Sequence, residues 1–581
     1  MLKADVVIIG SEGAGARAAI EVARHGVKPL VLTKGPIGKS GATITAMADF
    51  EVDSRSAKEV LGLNGDIRDS QEKFFEDTLI SGGYLNNQKM LERHVTEIPA
   101  IAKEMIDKGM KVEKDLDKAA GQSYPRSVIT TGHEFMKPLI KMCKEENVAV
   151  YEYFMATDLV KKDGKIVGVV GLDLSTGEFV EISTKAVVLA TGGGMQIYPY
   201  STAPDELTGD GHAMAFRAGA SFIDIEMVQF MGGTMIAPPA VEGQGFGYAL
   251  CADLNSMDCW MLNKFGTRFM AEKDPVHKEH VTRDKLAVGM MTEVFEGRGT
   301  PNGGIYVSVS HLPDQIIDHY PAAKNVPYLS KDWDFMGFNY KQIMEEAKRG
   351  KALEMAVASH FFCGGIKIDE TGSTGIPGFY AAGEVTGGTE GGNRISGNAL
   401  TQVLVQGKDA GASAAEYAKK ASFEELPKDM GQYKDRVLSP ISREGSESSF
   451  ELRKRLQKLC WDNMCVVRTE ESLQCVISEL QKFKEILPHI GIRAKNRVYN
   501  REWVDALQLE SLITVAELVA TGALQRKESR CVHYRQDFPV ADYQNYSMNN
   551  ILENDNGKIS AHFEPCVVTS ISIPKEAPKN E

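Results

Sequence analysis

The sequence has no cysteine pair spaced for a metal site and no excess of basic residues. Its nine cysteines contain no Cys-x-x-Cys pair, and this spacing fits neither a zinc site nor an iron–sulfur cluster. Their odd number argues against a closed disulfide framework, so we expect a reducing compartment. A formal charge of −13 excludes the basic footprint of a nucleic-acid-binding surface.

Long hydrophobic runs and an N-terminal leader are missing as well. The strand pattern at residues 4–9 leaves no room for a signal peptide, and no apolar run has the length needed to cross a bilayer. We therefore expect a cytoplasmic protein. With 581 residues, 43% of them apolar and 25% charged, the chain should form several soluble globular domains.

Residues 5–34 have the pattern of a strand–helix–strand unit that binds a dinucleotide. The turn 10–15 is Gly-Ser-Glu-Gly-Ala-Gly, close to G-x-G-x-x-G, in which the second glycine lets the backbone approach the pyrophosphate. Glu12 stands in that second position and would oppose a diphosphate unless its side chain points away. The second strand ends at Thr33 and not at the acidic residue that usually binds the ribose.

Three later segments favour a flavin adenine dinucleotide (FAD) site. Each joins a glycine turn to a strand or a helix, and each alone could be ordinary turn chemistry. Together with the N-terminal unit, their order is typical of a chain that re-enters a dinucleotide-binding domain. The segments are Val187–Gly194, Thr208–Ala215 and Gly378–Glu384, and the last ends in a carboxylate suited to sugar or ribitol hydroxyls.

Residues 360–365 are His-Phe-Phe-Cys-Gly-Gly, and Arg394 follows further along the chain. This arrangement places two side chains that bind anions on either side of a glycine-rich stretch that can approach a cofactor closely. A flavin enzyme that adds hydride to a carboxylate-activated double bond, or removes it, needs these parts because they stabilise the charge of the transition state.

With these motifs the chain resembles the flavoprotein subunit of succinate dehydrogenase and fumarate reductase, a family that includes L-aspartate oxidase. The resemblance runs over nearly the whole length. We expect its last and most specific motif to pack domains together through charge pairs. Besides the N-terminal unit, the motifs are ATGGG (190–194), TGDG (208–211), NKFGTRFM (263–270), Arg283-Asp284, HFFCGGI (360–366), AAGE (381–384), NRISGNAL (393–400) and RKESRCVHYRQDFP (526–539).

The resemblance implies an α/β fold, in which a Rossmann-like FAD-binding domain carries an inserted α+β capping domain and is followed by a C-terminal helical domain. Apolar spacing at 450–486 and 502–525 independently predicts helices in the helical domain. The expected boundaries are 1–234 and 346–425 for the FAD-binding domain, 235–345 for the capping domain, 426–540 for the helical domain and 541–581 for a small C-terminal segment.

Carried over residue by residue, the resemblance also implies a set of FAD-binding residues. They are Gly10, Gly13, Gly15, Thr33, Lys34, Ser40, Gly41, Thr191, Gly192, Gly193, Asp210, Glu384, Asn398 and Leu400.

The resemblance assigns three catalytic residues. In the family, hydride passes between flavin N5 and one carbon of the substrate's double bond, while an arginine, here Arg283, trades a proton with the other carbon. His360 and Arg394 would hold a carboxylate, because guanidinium binds it with a two-pronged fork and neutral histidine donates a hydrogen bond. Arginine is ordinarily never deprotonated, so the alternative for Arg283 is a surface residue that caps a helix at 284–296 or pairs with Asp284.

The second carboxylate-binding half of the family site is not where the resemblance would place it. The His-Pro-Thr-Gly turn of relatives acting on succinate or fumarate is Met231–Gly233 here, their Thr-Glu pair gives way to Ile236–Pro239, and one of their histidines is Glu390. A doubly charged substrate would lose a charge-assisted hydrogen bond of about 1.5–3 kcal/mol. We therefore expect an enoic acid with an apolar, aromatic or thioester tail, unless other contacts in the cap replace the missing ones.

Gly41 stands where membrane-bound members of the family attach the flavin covalently to a histidine. A glycine offers no atom for that bond, which predicts non-covalent, dissociable FAD. In the family, loss of the link accompanies a lower flavin potential, and this favours reduction of the substrate over its oxidation.

Four functions stay open on the sequence. The first is a reductase or dehydrogenase of a carboxylic acid that works with a separate iron–sulfur subunit, which would also provide any membrane association. The second is an L-aspartate oxidase-type enzyme, for which no contact to an α-amino group is evident. The third is an adenylylsulfate reductase-type enzyme, which His360 and Arg283 oppose. The fourth is an electron-relay flavoprotein in a larger redox complex, which the intact carboxylate-binding residues oppose.

Overall fold

The computed structural model describes residues 2–46, 49–237, 239, 242–243, 258–319 and 345–577. Its strands are β1 (Leu2–Ile9), β2 (Pro29–Thr33), β3 (Asp49–Glu51), β4 (Leu116–Asp117), β5 (Ser127–Ile129), β6 (Ala149–Glu152), β7 (Phe154–Lys162), β8 (Lys165–Asp173), β9 (Glu178–Leu189), β10 (Phe222–Ile223), β11 (Val228–Ala237), β12 (Trp260–Leu262), β13 (Ile305–Ser308), β14 (Leu353–Phe362), β15 (Gly365–Ile366), β16 (Phe379–Ala381), β17 (Val467–Arg468), β18 (Tyr534–Arg535), β19 (Met548–Asp555) and β20 (Lys558–Pro565). Its helices are α1 (Gly13–Arg24), α2 (Ala42–Thr45), α3 (Ser54–Glu59), α4 (Gln71–Ser81), α5 (Gln88–Asp107), α6 (Gly132–Glu145), α7 (Asp210–Ala218), α8 (Phe269–Lys273), α9 (Arg283–Phe295), α10 (Asp314–His319), α11 (Asn398–Lys420), α12 (Gly431–Ser442), α13 (Ser449–Met464), α14 (Glu470–Ile486) and α15 (Arg501–Gln525).

The largest sheet positions the N-terminal glycine turn. Its strand order is β6-β2-β1-β9-β8-β7, with β16 paired to β9. Strands β2, β1, β9 and β16 are parallel, and near their carboxyl ends Leu32, Ile9, Leu189 and Ala381 are in register. Ligands bind at this carboxyl edge in open α/β sheets. The predicted strand–helix–strand unit is confirmed, as is the predicted α/β fold class.

A second sheet, in the order β11-β14-β13-β12, is antiparallel. Its two long strands, β11 and β14, form a ribbon with His360 near one end, and β13 pairs with β14 at the other end. The ribbon therefore connects the flavin-binding half of the chain to strands of the predicted capping domain. The predicted domain boundaries stay a prediction.

The C-terminal region is helical, as the apolar spacing predicts, and α13, α14 and α15 pack together. Helix α15 is long and apolar enough to cross a membrane, and 72% of its apolar window is buried in the protein. Its apolar sequence is interrupted by Glu510 and Glu517, so the helix does not form an uninterrupted apolar run. Burial of this kind is typical of the core helix of a multi-helix domain.

The specific motif at 526–539 forms the charge pairs that the sequence predicts. Arg526 is fully buried and donates to Glu226 and Asp224, both at 2.8 Å, and to Glu528 at 3.0 Å. Burial opposes the arginine charge, but these carboxylates hold the pKa of Arg526 above its usual range. The motif thus fixes the segment just before β11, which leads into the site described next.

Candidate active site

The carboxyl edge of the large sheet borders a cleft, the usual place of a ligand in an open α/β sheet. Most of the predicted FAD-binding residues line it: Gly10, Gly13, Thr33, Lys34, Ser40, Gly41, Thr191, Gly192, Asp210 and Glu384. The other predicted residues, Gly15, Gly193, Asn398 and Leu400, do not line the described part of the cleft. Asn398 begins α11 and Leu400 is buried in a core cluster.

The glycine turn brings β1 and α1 very close together. A Cβ at residue 15 would overlap the carbonyl oxygen of Gly10, and Gly10 itself has φ of +107°, which favours glycine. Helix α1 therefore starts directly after the strand, and its first residues, Gly13 and Ala14, line the cleft. The N-terminus of a helix attracts anions such as a diphosphate.

The Glu12 side chain points towards helix α2. Its Oε2 accepts a hydrogen bond from the backbone N–H of Ile44 at 2.9 Å, while Oε1 is buried without a hydrogen-bond partner in the described part of the chain. Burial raises the pKa of Glu12 to about 7 despite these hydrogen bonds. Near neutral pH the carboxyl is therefore partly protonated, and the opposition between Glu12 and a diphosphate is reduced.

Two polar atoms in the wall of the cleft are unsatisfied. Lys34 Nζ donates to Asp210 Oδ2 at 2.8 Å, but Asp210 Oδ1 and Thr191 Oγ1 are buried without hydrogen-bond partners among the described residues. Buried polar atoms are nearly always hydrogen-bonded in native proteins, so a ligand rich in hydroxyl groups suits this wall. Thr33 lies on the same side, where its hydroxyl accepts from Ser11 Oγ at 3.0 Å.

Glu384 connects the cleft to the His360 segment. Its carboxylate accepts from the backbone N–H of Gly193 at 3.2 Å and from that of Phe362 at 3.1 Å. Burial raises the pKa of Glu384 to about 7. The glycine turn, the unsatisfied wall atoms and this buried carboxyl together fit FAD, whereas the contact of Glu384 with sugar hydroxyls stays a prediction.

The three predicted catalytic residues meet at one nitrogen atom. His360 Nε2 lies 2.8 Å from a terminal nitrogen of Arg394 and 3.4 Å from one of Arg283. Arg283 is the first residue of α9 and also donates to Ser396 Oγ at 3.0 Å. Its side chain thus faces the other two residues, in contrast to the surface alternative, and Thr282 takes the N-cap position.

The electrostatics of this cluster favour an anion. Burial, and then the charges of Arg394 and Arg283, lower the pKa of His360 well below its usual range. Burial and Arg283 also lower the pKa of Arg394, whose Nε has no hydrogen-bond partner in the described ranges. Two guanidinium groups and a neutral imidazole therefore meet at one partly buried position, and a carboxylate there would relieve their repulsion.

Neighbouring side chains hold Arg394 in place. Gln229 accepts from its terminal nitrogen at 3.3 Å and donates to its backbone carbonyl at 2.8 Å. The Phe361 ring lies 4.7 Å from the guanidinium carbon, within cation–π range. Sequence reasoning missed the roles of Gln229, Ser396 and Thr202, which contacts His360 Nδ1 at 2.7 Å. Ser396 lies within the motif 393–400, but the resemblance assigns it no role, and Gln229 and Thr202 stand in no motif that signals chemistry.

The place of the missing second carboxylate clamp is apolar. Met231 is buried in β11, and a Cβ at Gly232 would contact Met290 Sδ at 2.8 Å and Leu286 at 3.2 Å, both on α9. Glu390 is buried and accepts from Asn398 Nδ2 at 3.3 Å. Burial raises its pKa to about 7, so its charge is reduced near neutral pH. Pro238, in the segment that replaces the Thr-Glu pair, lies outside the described residues.

Comparison with known proteins identifies the family of this chain. Residues 5–400 match the family described as FAD binding domain, and residues 453–579 match the family described as fumarate reductase flavoprotein C-term. A fumarate reductase (CoM/CoB) subunit of Methanothermobacter marburgensis is 34% identical, over 93% of this chain and 95% of its own. The 8-methylmenaquinol:fumarate reductase flavoprotein subunit of Wolinella succinogenes is 30% identical, over 98% of this chain and 92% of its own. The structure of Mycobacterium smegmatis Sdh1 in complex with UQ1 matches with a TM-score of 0.84 and 30% identity, over 98% of this chain and 95% of that one.

The fold, the cleft and these matches define an FAD-dependent oxidoreductase. More narrowly, the chain belongs to the family of flavoprotein subunits that includes those of fumarate reductase and succinate dehydrogenase.

Proposed function

We propose that this chain is the catalytic flavoprotein subunit of an enzyme that transfers hydride between FAD and the C=C or CH–CH bond of an acid held through one carboxylate. The convergence of Arg394 and Arg283 on the neutral ring of His360, at 2.8 and 3.4 Å, carries this proposal. Buried cations are costly unless they are paired with anions, and a carboxylate matches the guanidinium fork.

Each residue of the cluster has a distinct task in this proposal. Arg394 and His360 hold the carboxylate and stabilise the enolate-like charge that develops on it. Arg283 gives a proton to the substrate carbon that does not receive hydride, or takes it in the reverse direction, and Ser396 orients its guanidinium. FAD, when bound, supplies or accepts the hydride.

The substrate that fits best is a monocarboxylic enoate, or its saturated product, with an apolar tail. Met231 and the side chains of α9 provide apolar contacts where a dicarboxylate would need a second hydrogen-bond donor. Glu390 accepts from Asn398 and would repel a second carboxylate whenever it is ionised.

Two further features belong to the proposal. A separate iron–sulfur protein would exchange electrons with the flavin, because the sequence carries no cluster motif and the relative from Methanothermobacter marburgensis is itself one subunit of a larger enzyme by its name. FAD is non-covalent, because Gly41 stands where relatives carry the linking histidine. Yellow colour in an acid precipitate of the protein would contradict the non-covalent FAD.

The substrate is tested by reoxidation of the flavin. The purified FAD-loaded protein is reduced anaerobically with dithionite and mixed with crotonate, cinnamate, a crotonyl thioester, fumarate, adenylylsulfate or oxygen. We expect crotonate or cinnamate to reoxidise the flavin faster than fumarate. Arg394→Met should slow this reaction by roughly 10- to 100-fold, whereas the matched surface variant Arg501→Met should not change it.

The other outcomes separate the alternatives. If fumarate reoxidises the flavin as fast as the best enoate does, the proposal of a single carboxylate site is wrong. Reoxidation mainly by oxygen favours an L-aspartate oxidase-type enzyme, and reoxidation by adenylylsulfate favours a reductase of that compound. Failure of every acid and thioester to reoxidise the flavin favours an electron-relay flavoprotein.

A further inference from the structure

Thr202 lies beside the His360 ring, although the two residues are far apart in the sequence. Its Oγ1 is 2.7 Å from His360 Nδ1. The backbone holds the hydroxyl there, because Ser359 N–H donates to the Tyr200 carbonyl and Thr202 N–H donates to the Ser359 carbonyl, both at 3.0 Å. The backbone of Thr202 is therefore held beside strand β14, within reach of the His360 ring.

The hydrogen-bond directions around His360 follow from its neighbours. Nε2 faces the terminal nitrogens of Arg394 and Arg283, and a guanidinium group donates hydrogen bonds but accepts none. Nε2 must therefore accept, so in the neutral ring the proton is on Nδ1. There it donates to Thr202 Oγ1, because the partner of one ring nitrogen determines which nitrogen is protonated.

A bound carboxylate reverses the requirement at Nε2. Carboxylate oxygens only accept hydrogen bonds, so Nε2 needs a proton in order to contact one. Nδ1 keeps its own proton as long as Thr202 accepts it. Nε2 therefore becomes a donor only when the ring gains a second proton and carries a positive charge.

The charged groups around the ring determine whether His360 gains this second proton. Arg283 on α9 and Arg394 in the loop before α11 oppose a charge on His360 in the free site. On adjoining segments, Glu384 is bonded to the Phe362 backbone and Asp284 to the Asn393 side chain, at 3.1 and 3.2 Å. An incoming carboxylate is the new anion at the ring, and its charge favours protonation.

We propose that Thr202 is a positioning residue that holds the proton on Nδ1 of His360 while a carboxylate binds, so that binding draws one proton from solvent onto Nε2. This inference rests on the proposed carboxylate site. Its consequence is that binding strengthens as the pH falls, by up to about tenfold per pH unit wherever His360 is neutral in the free protein and charged in the complex.

The tautomer is tested first in the free, oxidised, FAD-loaded protein. Histidine is labelled with ¹⁵N, and the His360 signal among the 12 histidines is assigned by its loss in His360→Gln. We expect an Nδ1-protonated ring in the wild type, in Thr202→Ser and in Thr202→Val, because the two guanidinium groups face Nε2 in all three. An Nε2-protonated ring in the wild type would overturn the proposal, and this result does not depend on any substrate.

Proton uptake is tested by calorimetry with crotonate and with cinnamate, in buffers that differ in ionisation enthalpy. The oxidised protein binds these acids without turnover. We expect about one proton per bound acid in the wild type and in Thr202→Ser, and an uptake near zero in Thr202→Val. Thr292→Val is the matched control, since its hydroxyl donates to the Val288 carbonyl within α9, and it should behave like the wild type.

Two results would contradict the uptake. Wild-type binding without proton uptake does so directly, and so does unchanged uptake in Thr202→Val with retained FAD. If crotonate, cinnamate and fumarate all fail to bind, the proposed carboxylate site is wrong. The tautomer of free His360 then still tests whether Nδ1 carries the proton that Thr202 would accept.

Discussion

Glu12 fills the space into which a side chain at Gly41 would project. A Cβ added at residue 41 would overlap Glu12 Cγ and would lie 2.9 Å from its carboxyl carbon. The backbone of Gly41, with φ of +94° and ψ of −179°, is also in a region open essentially to glycine alone. The two departures from the family pattern are therefore linked in space. Glu12, the acidic residue in the glycine turn, fills the room that a side chain at residue 41 would need.

Gly41→Ala should destabilise the FAD-loaded protein by about 2–4 kcal/mol, because backbone strain of about 1–3 kcal/mol adds to the overlap with Glu12. Chemical denaturation measures the loss. Gly26→Ala is the matched control, since Gly26 has φ of +74° but nothing within 4 Å of the added Cβ. Equal losses for the two variants would mean that the overlap contributes nothing.

The Glu12→Ala, Gly41→Ala double variant measures the contact itself. Removing the Glu12 side chain should recover about 1 kcal/mol or more of the loss caused by Gly41→Ala, as expected for residues in direct contact. Additive losses would show that Glu12 can move aside without cost.

FAD affinity should fall as the pH rises through 7. The pKa of Glu12 is raised to about 7 by burial, so the group is neutral below this pH and anionic above it. The anion repels the diphosphate by on the order of 1 kcal/mol, or roughly fivefold in affinity. Fluorescence titration of the apoprotein with FAD measures the change, and Glu12→Gln should remove the part that Glu12 causes. If FAD affinity still depends on pH in Glu12→Gln, another titratable group causes that part of the dependence.

Arg394→Lys should lower kcat/KM for the preferred enoate by roughly 10- to 100-fold. Lysine keeps the charge but loses the fork, and a charge-assisted hydrogen bond is worth about 1.5–3 kcal/mol. Steady-state kinetics with crotonate or cinnamate provide the comparison. The rate of flavin reduction by dithionite should not change, because it does not use the carboxylate site. An unchanged kcat/KM would remove Arg394 from the substrate site.

Arg526→Met should be among the most destabilising single changes in the chain. It leaves Asp224, Glu226 and Glu528 buried without their shared cation, and loss of one member of such a network costs about 3–5 kcal/mol. Denaturant unfolding of the FAD-loaded protein measures the difference. Arg501→Met is the control, since Arg501 is 63% exposed and surface changes usually stay within about 0.5 kcal/mol.

The sequence predicts those features that have a local period or a compact motif. Alternating and continuous apolar runs predict the parallel strands, and the glycine turns mark where β1 and β9 reach the cleft. The resemblance brings Arg283, His360 and Arg394 to one site, and the structure places them around a single nitrogen atom. Such motifs are predictable because each chemical group stands next to the turn that positions it.

Contacts between distant segments are the part that the sequence does not predict. The direction of Glu12 depends on a backbone N–H at Ile44, and the partner of His360 Nδ1 is Thr202, which is 158 residues away. A single hydroxyl in a loop has no periodic signal. In the sequence, Gln229 serves only to locate the turn that follows it. Its contact with Arg394 becomes evident from the structure, in which β11 pairs with β14.

The ribbon of β11 and β14 joins two parts of the site. Its pairing is irregular between Gln229 and Phe230 and between Gly232 and Thr234, so a bend there would leave Gln229 and His360 at the cofactor and carry away α9, which packs on Gly232. Arg283 would leave with α9. The enzyme would then capture its acid first and bring up the proton donor second. An acid that binds to Arg394 and His360 but prevents the return of α9 would stay bound without reacting. It would act as a competitive inhibitor.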